Sequence, residues 1–547
     1  MRHGGQILVD QLRLHGVTRV FSVPGESFLA VLDGLHDSGI ANVVCRHEGG
    51  AAMMADAHAK LTGQPGVLFV TRGPGATNAA AGLHVARQDS TPVVAFVGQI
   101  ARGHRDREAF QEVDYRAAFG PLVKWAAEVD QTERLPEYIA RAFAVATGGR
   151  PGPVVLALPE DMLSATAEVA DRPPGPVVTG HVTPEAVAAV TGALVGAERP
   201  LVVVGGPHWS DTAAADLCRF AEGWGLPVAV SFRRQDRIDN DHPCYAGDLG
   251  VGMNPALARR LAAADLVLAL GTRLGDIATG GYEILDPARP GPRIVHVHAD
   301  AGELGRVFRA DPGIALTAPA MLAGLAQAVP PNARGWDDWT RQARSEYEAW
   351  QRPVVTPGAV KLEVVMAWLS DHLPDDAIVT NGAGNYAAFI HRYFRFRKGR
   401  RQLAPTSGSM GYGFPAAVAA SLAHPGRRVV CMAGDGCFQM TLNEMSTAVQ
   451  HGATPIVIVA NNGRYGTIRM HQERHYPGRV SGTDLANPDF AALARAYGGH
   501  GEVVTEGTEF PAAFGRAEAA GVLAVIELRL DPEMLTTRQT LSQVRGY

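Results

Sequence analysis

Short runs of consecutive apolar residues recur along the chain, and stretches of helical periodicity separate them. The first group holds RVFSVPG, ANVVCRHE, GVLFVTRGPG, PVVAFVG and GPVVLALP. A second holds PLVVVGG, LPVAVSF, ADLVLALGTR and RIVHVHAD, and a third AIVTNGAG, RRVVCMAGDG, PIVIVANN and VLAVIELRL. Continuous apolar strands alternating with helices predict parallel sheets covered on both faces. The expected fold class is therefore α/β, with three doubly wound parallel-sheet domains over 1–170, 186–330 and 355–547. A Pro/Gly-rich connector, DRPPGPVVTGHVTPE, spans 171–185. A second linker, VPPNARGWDDWTRQARSEYEAWQRPVVTPGAV, is expected to be helical in its middle. The opening MRHGGQILVDQLRLHG reads as an amphipathic helix. No short-period repeat is visible, and the sequence does not show whether the blocks share a topology.

One stretch carries most of the chemistry, GDGCFQMTLNEMSTAVQHGATPIVIVANN over 434–462. An apolar strand leads into Gly434-Asp435-Gly436. A helix from about Thr441 to His451 is expected next, ended by Gly452, and a second strand then runs to Asn461-Asn462. Two such strands should lie parallel through a right-handed crossover. Asp435 and Asn462 then stand at the carboxyl ends of strands, the edge where open α/β sheets bind ligands. A carboxylate and an amide oxygen beside a glycine turn suit Mg²⁺ that also takes phosphate oxygens. Gly434 and Gly436 let the backbone approach a diphosphate closely.

Bulk properties narrow the classes. At 547 residues the chain is too long for one core and predicts about three domains. Mean hydropathy near zero fits a globular protein in water. A net charge of −5 gives no basic face for nucleic acid. The five cysteines form no CxxC pair, which fits a reducing compartment rather than a disulfide framework. The N-terminus lacks a signal-peptide core, and no run reaches the ~18 apolar residues of a membrane span. A cytoplasmic protein is expected, with no membrane and no nucleic-acid partner.

GDG followed by NN at this spacing resembles the thiamin diphosphate signature. Three further segments extend the resemblance. VVCRHEGGAAMMADAHAKLTG carries Glu48 at the opening of a helix, and GVLFVTRGPGATNAAAGLHVA carries the turn Gly73-Pro74-Gly75-Ala76-Thr77-Asn78. APTSGSMGYGFPAAVAA carries Met410. The chain resembles the acetolactate synthase-like branch of thiamin diphosphate enzymes over nearly its whole length. The resemblance implies a pyrimidine-binding, a central and a diphosphate-binding domain, in that order. It implies Glu48 on the aminopyrimidine nitrogen, favouring the imino tautomer, while the cofactor carries the chemistry. Met410 would support the bent cofactor, an unbranched thioether being suited to irregular gaps. Asp435, Asn462 and the main-chain carbonyl of Arg464 would hold Mg²⁺, and Gly73 would pack near the cofactor. A homodimer or homotetramer with active sites shared between subunits is implied likewise.

Ala109-Phe110-Gln111-Glu112 is similar to the Ala-Phe-Gln-Glu of acetohydroxyacid synthases, so Gln111 is expected near substrate. The paired histidines of pyruvate decarboxylases are absent. These features favour decarboxylation of a pyruvate-like 2-oxo acid followed by carboligation to a second one. Two departures point toward a simple 2-oxo acid decarboxylase or lyase. Pro24-Gly25-Glu26-Ser27 stands where synthases have Pro-Gly-Gly, so Glu26 could donate the proton that releases an aldehyde, or could cap the helix after it. NNGRYGTIRMHQERHY lacks the acceptor-selecting tryptophan, and His471 takes its place, expected on a surface loop. FAD is admissible but not expected. Arg273 in GTRLGD resembles part of its site, but His298 stands where FAD-binding members have an acid. A non-catalytic protein of this fold could dispense with Glu48, whose presence argues for an enzyme.

Overall fold

Three six-stranded sheets, each wholly parallel, frame the computed structural model, which describes residues 1–175 and 180–546. The Pro/Gly-rich connector at 171–185 therefore lies partly outside the described residues. The first sheet orders its strands Ala41–Val44, Arg19–Ser22, Gly66–Val70, Val93–Gln99, Pro153–Pro159 and Trp125–Glu128. The third runs Arg401–Leu403, Ile378–Asn381, Val429–Gly434, Ile456–Asn461, Ala524–Arg529 and His500–Val504. Numbered by their own sequence order, both read 2-1-3-4-6-5. The central sheet reads 3-2-1-4-5-6, from Tyr245–Leu249 through Val228–Ser231, Pro200–Val204, Leu266–Leu270 and Arg293–Val297 to Gly313–Ile314. Three parallel sheets flanked by helices are the architecture expected from the apolar runs.

The topology has a functional consequence. In the outer sheets the strand order reverses between the first and third strands, and ligands bind at the carboxyl ends beside such a reversal. That places the turns after Ser22 and Val70 together in the first sheet. It places the turns after Asn381 and Gly434 together in the third.

Tight packing between small residues joins the first and third domains. The helix Glu48–Thr62 buries its alanines against Pro74–Asp89 and against Gly413–Ala423. Gly82 of Pro74–Asp89 sits so close to Glu48–Thr62 that an added Cβ would fall 2.4 Å from that of Ala52. One hydrophobic core thus runs from Phe21 and Leu68 through Ala52 to Phe414 and Val457. A buried polar cluster pins the same contact. Tyr412 Oη donates to Asp56 at 2.7 Å, and Lys60 Nζ lies 2.7 Å from Asp56 and against Asp89. The backbone N–H of Thr406 closes the set on Asp89 at 2.7 Å. Lys60→Met would leave two buried carboxylates without the cation between them. We expect it to cost about 3–5 kcal/mol, read as a lowered denaturant midpoint.

Two expectations need correction. The helix anticipated over Thr441–His451 is broken into a 3₁₀ turn at Leu442–Glu444 and an α-helix at Met445–His451, with a separate short helix at Asp435–Gln439. Thr441 turns its hydroxyl to the carbonyl of Gly411 instead of continuing the helix. Gly452 does end the helix, at φ 68°. His471 lies on the helix Gly466–His475, exposed and stacked on His475, and not on a loop. The helix Asp337–Trp350 forms in the expected linker, and it packs Tyr347, with the preceding Trp336, into the central core. All five cysteines are free, and Cys45 and Cys431 are buried.

Candidate active site

Asp435 follows the strand Val429–Gly434 directly, and Asn462 follows Ile456–Asn461. The two strands are neighbours in register, Gly434 opposite Ala460, so both side chains leave the same edge. Asp435 is buried, and its oxygens collect N–H donors from its own helix start and two loops: Gly436 at 2.8 Å, Gly463 at 2.9 Å and the Asn487 amide at 2.8 Å. Burial raises its carboxyl above the ordinary value, against the pull of these donors. A buried carboxylate that stays costly to charge is suited to a cation, which offsets the desolvation.

A cavity of about 250 Å³ opens beside this pair, lined by Met410, Gly434, Asp435, Gly436, Asn462 and Arg464 among others. Six sequence-selected residues thus meet in one place. The glycines are needed there: a Cβ on Gly436 would fall 2.5 Å from the Tyr465 ring, and one on Gly434 3.0 Å from that of Tyr386. Arg464 joins Asp484 through a backbone bridge, which fixes the strip of main chain that carries its carbonyl. Among the described residues no cluster of three His, Cys, Asp or Glu could hold a metal. A site of one carboxylate, one amide and one carbonyl leaves coordination positions for phosphate oxygens, as Mg²⁺ prefers. The donor set and the glycine cradle fit a Mg²⁺–diphosphate.

The other selected residues gather at the corresponding edge of the first sheet. Glu48 opens its helix after His47, whose ring caps Gly49 N–H at 3.0 Å. It is 8% exposed, and its Oε2 accepts from the Asn78 amide at 3.0 Å. Glu444 holds the turn before it, accepting the N–H of His47 at 3.0 Å. Gly73 stands at φ 60° and donates its N–H to Tyr115 Oη at 2.8 Å. A Cβ on it would fall 2.8 Å from that of Gln111, itself at φ 65°. Gln111 therefore lies against the glycine turn, on a loop that leaves Phe110 exposed. Glu26 lies in a 3₁₀ turn, Glu26–Phe28, and caps no helix. Its side chain is 63% exposed, and its Oε1 pairs with the buried Arg72 at 3.1 Å. None of Glu48, Gly73, Gln111 or Glu26 lines the Asp435 cavity.

Sequence reading missed Asn487, which ties Asp435 to Asn461, and Tyr115 under Gly73. Neither has a local signal, since Asn487 arrives from a distant loop and Tyr115 from the start of the helix Tyr115–Phe119. Arg273 and His298 line a separate cleft of about 370 Å³ at the reversal point of the central sheet. There Arg273 donates to the carbonyl of Gln88 at 3.4 Å, and His298 bonds its own turn at Asp300.

Two glycine-cradled strand ends, one with an acid at a helix start and one with a buried aspartate beside an asparagine, define a diphosphate-cofactor enzyme. Residues 2–118, 187–325 and 382–528 match, in order, the N-terminal TPP binding domain, the central domain and the C-terminal TPP binding domain of the thiamine pyrophosphate enzymes. The chain belongs to that family. It is 34% identical over 516 residues to the acetolactate synthase isozyme 2 large subunit of Escherichia coli, covering 93% of this chain and 92% of that one. It is also 34% identical over 525 residues to the acetolactate synthase large subunit of Parasynechococcus marenigrum, covering 92% and 83%. A probable acetolactate synthase large subunit of Methanocaldococcus jannaschii is 29% identical over 551 residues, covering 97% and 92%. The chain is thus a thiamin diphosphate-dependent enzyme of the type that decarboxylates a 2-oxo acid with carboligation.

Proposed function

We propose that this enzyme takes a pyruvate-like 2-oxo acid, releases CO₂, and joins the remaining fragment to a second 2-oxo acid, as an acetolactate synthase does. We further propose that it depends on Mg²⁺ and works in the cytoplasm as a homodimer or homotetramer. The observation that carries the assignment is the meeting of Met410, Asp435, Asn462 and Arg464 around one glycine-cradled cavity. Asp435, Asn462 and the Arg464 carbonyl would hold the metal, with Gly434 and Gly436 leaving room for the diphosphate. Bound there, thiamin diphosphate would supply the electron sink that lets CO₂ leave.

The protein's own part is to bind, orient and move protons. Glu48, held by Asn78 through one oxygen, would have its second oxygen free for a ring nitrogen of the aminopyrimidine. Met410 would back the rings with a polarisable thioether. Gly73 keeps the turn close, and Gln111 presents an amide to substrate. Glu26 is more than half exposed and its Oε1 is taken up by Arg72, so nothing aims it at a reacting atom, which favours carboligation over aldehyde release. Because none of Glu48, Gly73, Gln111 and Glu26 lines the Asp435 cavity of its own chain, we expect a second copy to complete each site. FAD stands outside this reading, since Arg273 is engaged by the first domain.

Calorimetric titration tests the anchor. Thiamin diphosphate should bind with Mg²⁺ present and lose at least about 10–100-fold in affinity when the metal is chelated. Equal affinity with and without metal would remove Asp435 and Asn462 from the proposed role.

A further inference from the structure

Met410 reaches the Asp435 cavity from a turn, and that turn is gripped on both sides by the segment following Asp435. The backbone N–H of Gly411 donates to Cys437 Sγ at 3.2 Å. The carbonyl of the same residue accepts from Thr441 Oγ1 at 2.8 Å. Tyr386 Oη donates to Cys437 Sγ at 3.4 Å and accepts the Gly382 N–H at 3.1 Å. Cys437, Thr441 and Tyr386 are all buried. Gly411 stands at φ 80°, and a Cβ there would meet Met440 and Thr441 at 3.1 and 3.2 Å. The peptide next to Met410 therefore has one seat, and two side chains within six residues of Asp435 define it.

We propose that Cys437 and Thr441 are positioning residues that fix Met410 relative to Asp435, so that the support of the cofactor's rings is held in register with the anchor of its diphosphate. A thiol suits the first place, being a small apolar group that still accepts weakly. It fills the space against Gly382, where an added Cβ would come within 2.4 Å of the sulfur. Alanine would leave the Gly411 N–H without its acceptor and open a gap beside the turn, at the cavity wall to which Cys437 also contributes. Valine at 441 would free the carbonyl on the other side. Neither change touches the oxygens of Asp435. The inference rests on the reading of Met410 as ring support.

The test compares Cys437→Ala, Cys437→Ser, Thr441→Val and Met410→Ala, alone and in pairs. Cofactor affinity is measured by calorimetry with Mg²⁺, ring conformation by near-ultraviolet circular dichroism of the bound cofactor, and turnover separately. Cys437→Ala should keep the affinity within about threefold, alter the dichroism, and lower kcat about tenfold, the size expected of a sub-ångström misplacement. Cys437→Ser should recover most of that loss. In the Met410→Ala background, Cys437→Ala should add nothing further.

An unchanged dichroism in Cys437→Ala, or an undiminished effect in the Met410→Ala background, would overturn the inference. If Cys437→Ala does not fold, Thr441→Val makes the same test at the other side of Gly411. Should Met410→Ala itself leave dichroism and kcat untouched, the reading of Met410 fails and the inference with it. If Met410→Ala acts and Cys437→Ala does not, the inference alone fails.

Discussion

Glu48→Gln is expected to lower kcat by about 10²- to 10⁴-fold, the range lost when a positioned acid–base group is removed. Cofactor affinity should change far less. Glutamine has the same size, can still meet the Asn78 amide through its oxygen, and sits away from the residues proposed to hold the diphosphate. The distinguishing readings are CO₂ release in the steady state and thiamin diphosphate binding by calorimetry. Turnover within threefold of the wild type would remove Glu48 from the catalytic role. So would a parallel loss of affinity, which would mark it as a binding group only.

Asp435→Asn is expected to abolish turnover by the opposite route, through binding. Three N–H groups already converge on this side chain, from Gly436, Gly463 and Asn487. An amide nitrogen among them is a donor facing donors, and the charge that would hold Mg²⁺ is gone. Affinity for the cofactor with Mg²⁺ should fall by about 100-fold or more. The two inactive variants then test each other. If each active site takes Glu48 from one chain and Asp435 from another, a hybrid dimer of Glu48→Gln and Asp435→Asn has one intact site. Random mixing should restore about a quarter of wild-type turnover. Mixtures as inactive as their parents would place both residues in a site within one chain.

The internal strands were legible because they are buried on both faces and read as unbroken apolar runs. In the three six-stranded sheets the strands missed by that reading are WAAE, YAGDL, GI, RQL and HGEVV, and each lies at the edge of its sheet. An edge strand is covered less and can be short or polar, so its composition does not separate it from a loop. The shared strand order of the first and third sheets was not legible either, since topology leaves no period in the sequence. Asp435 and Asn462 were legible because two adjacent βα turns set them at one edge. Asn487 was not, because it joins them from beyond the helix Gly466–His475. The break at Thr441 has the same origin: a side chain bonds a distant turn at Gly411 in preference to its own helix. What the sequence hides here is contact between remote segments. What it exposes is chemistry fixed by local turns.

The most direct test of the carboligase assignment is the product formed from pyruvate. The protein would be incubated with pyruvate, thiamin diphosphate and Mg²⁺, and the mixture followed by NMR. Acetolactate should accumulate as CO₂ is released, with two pyruvates consumed for each product. Acetaldehyde accumulating in its place would contradict the assignment and make Glu26 the residue to replace.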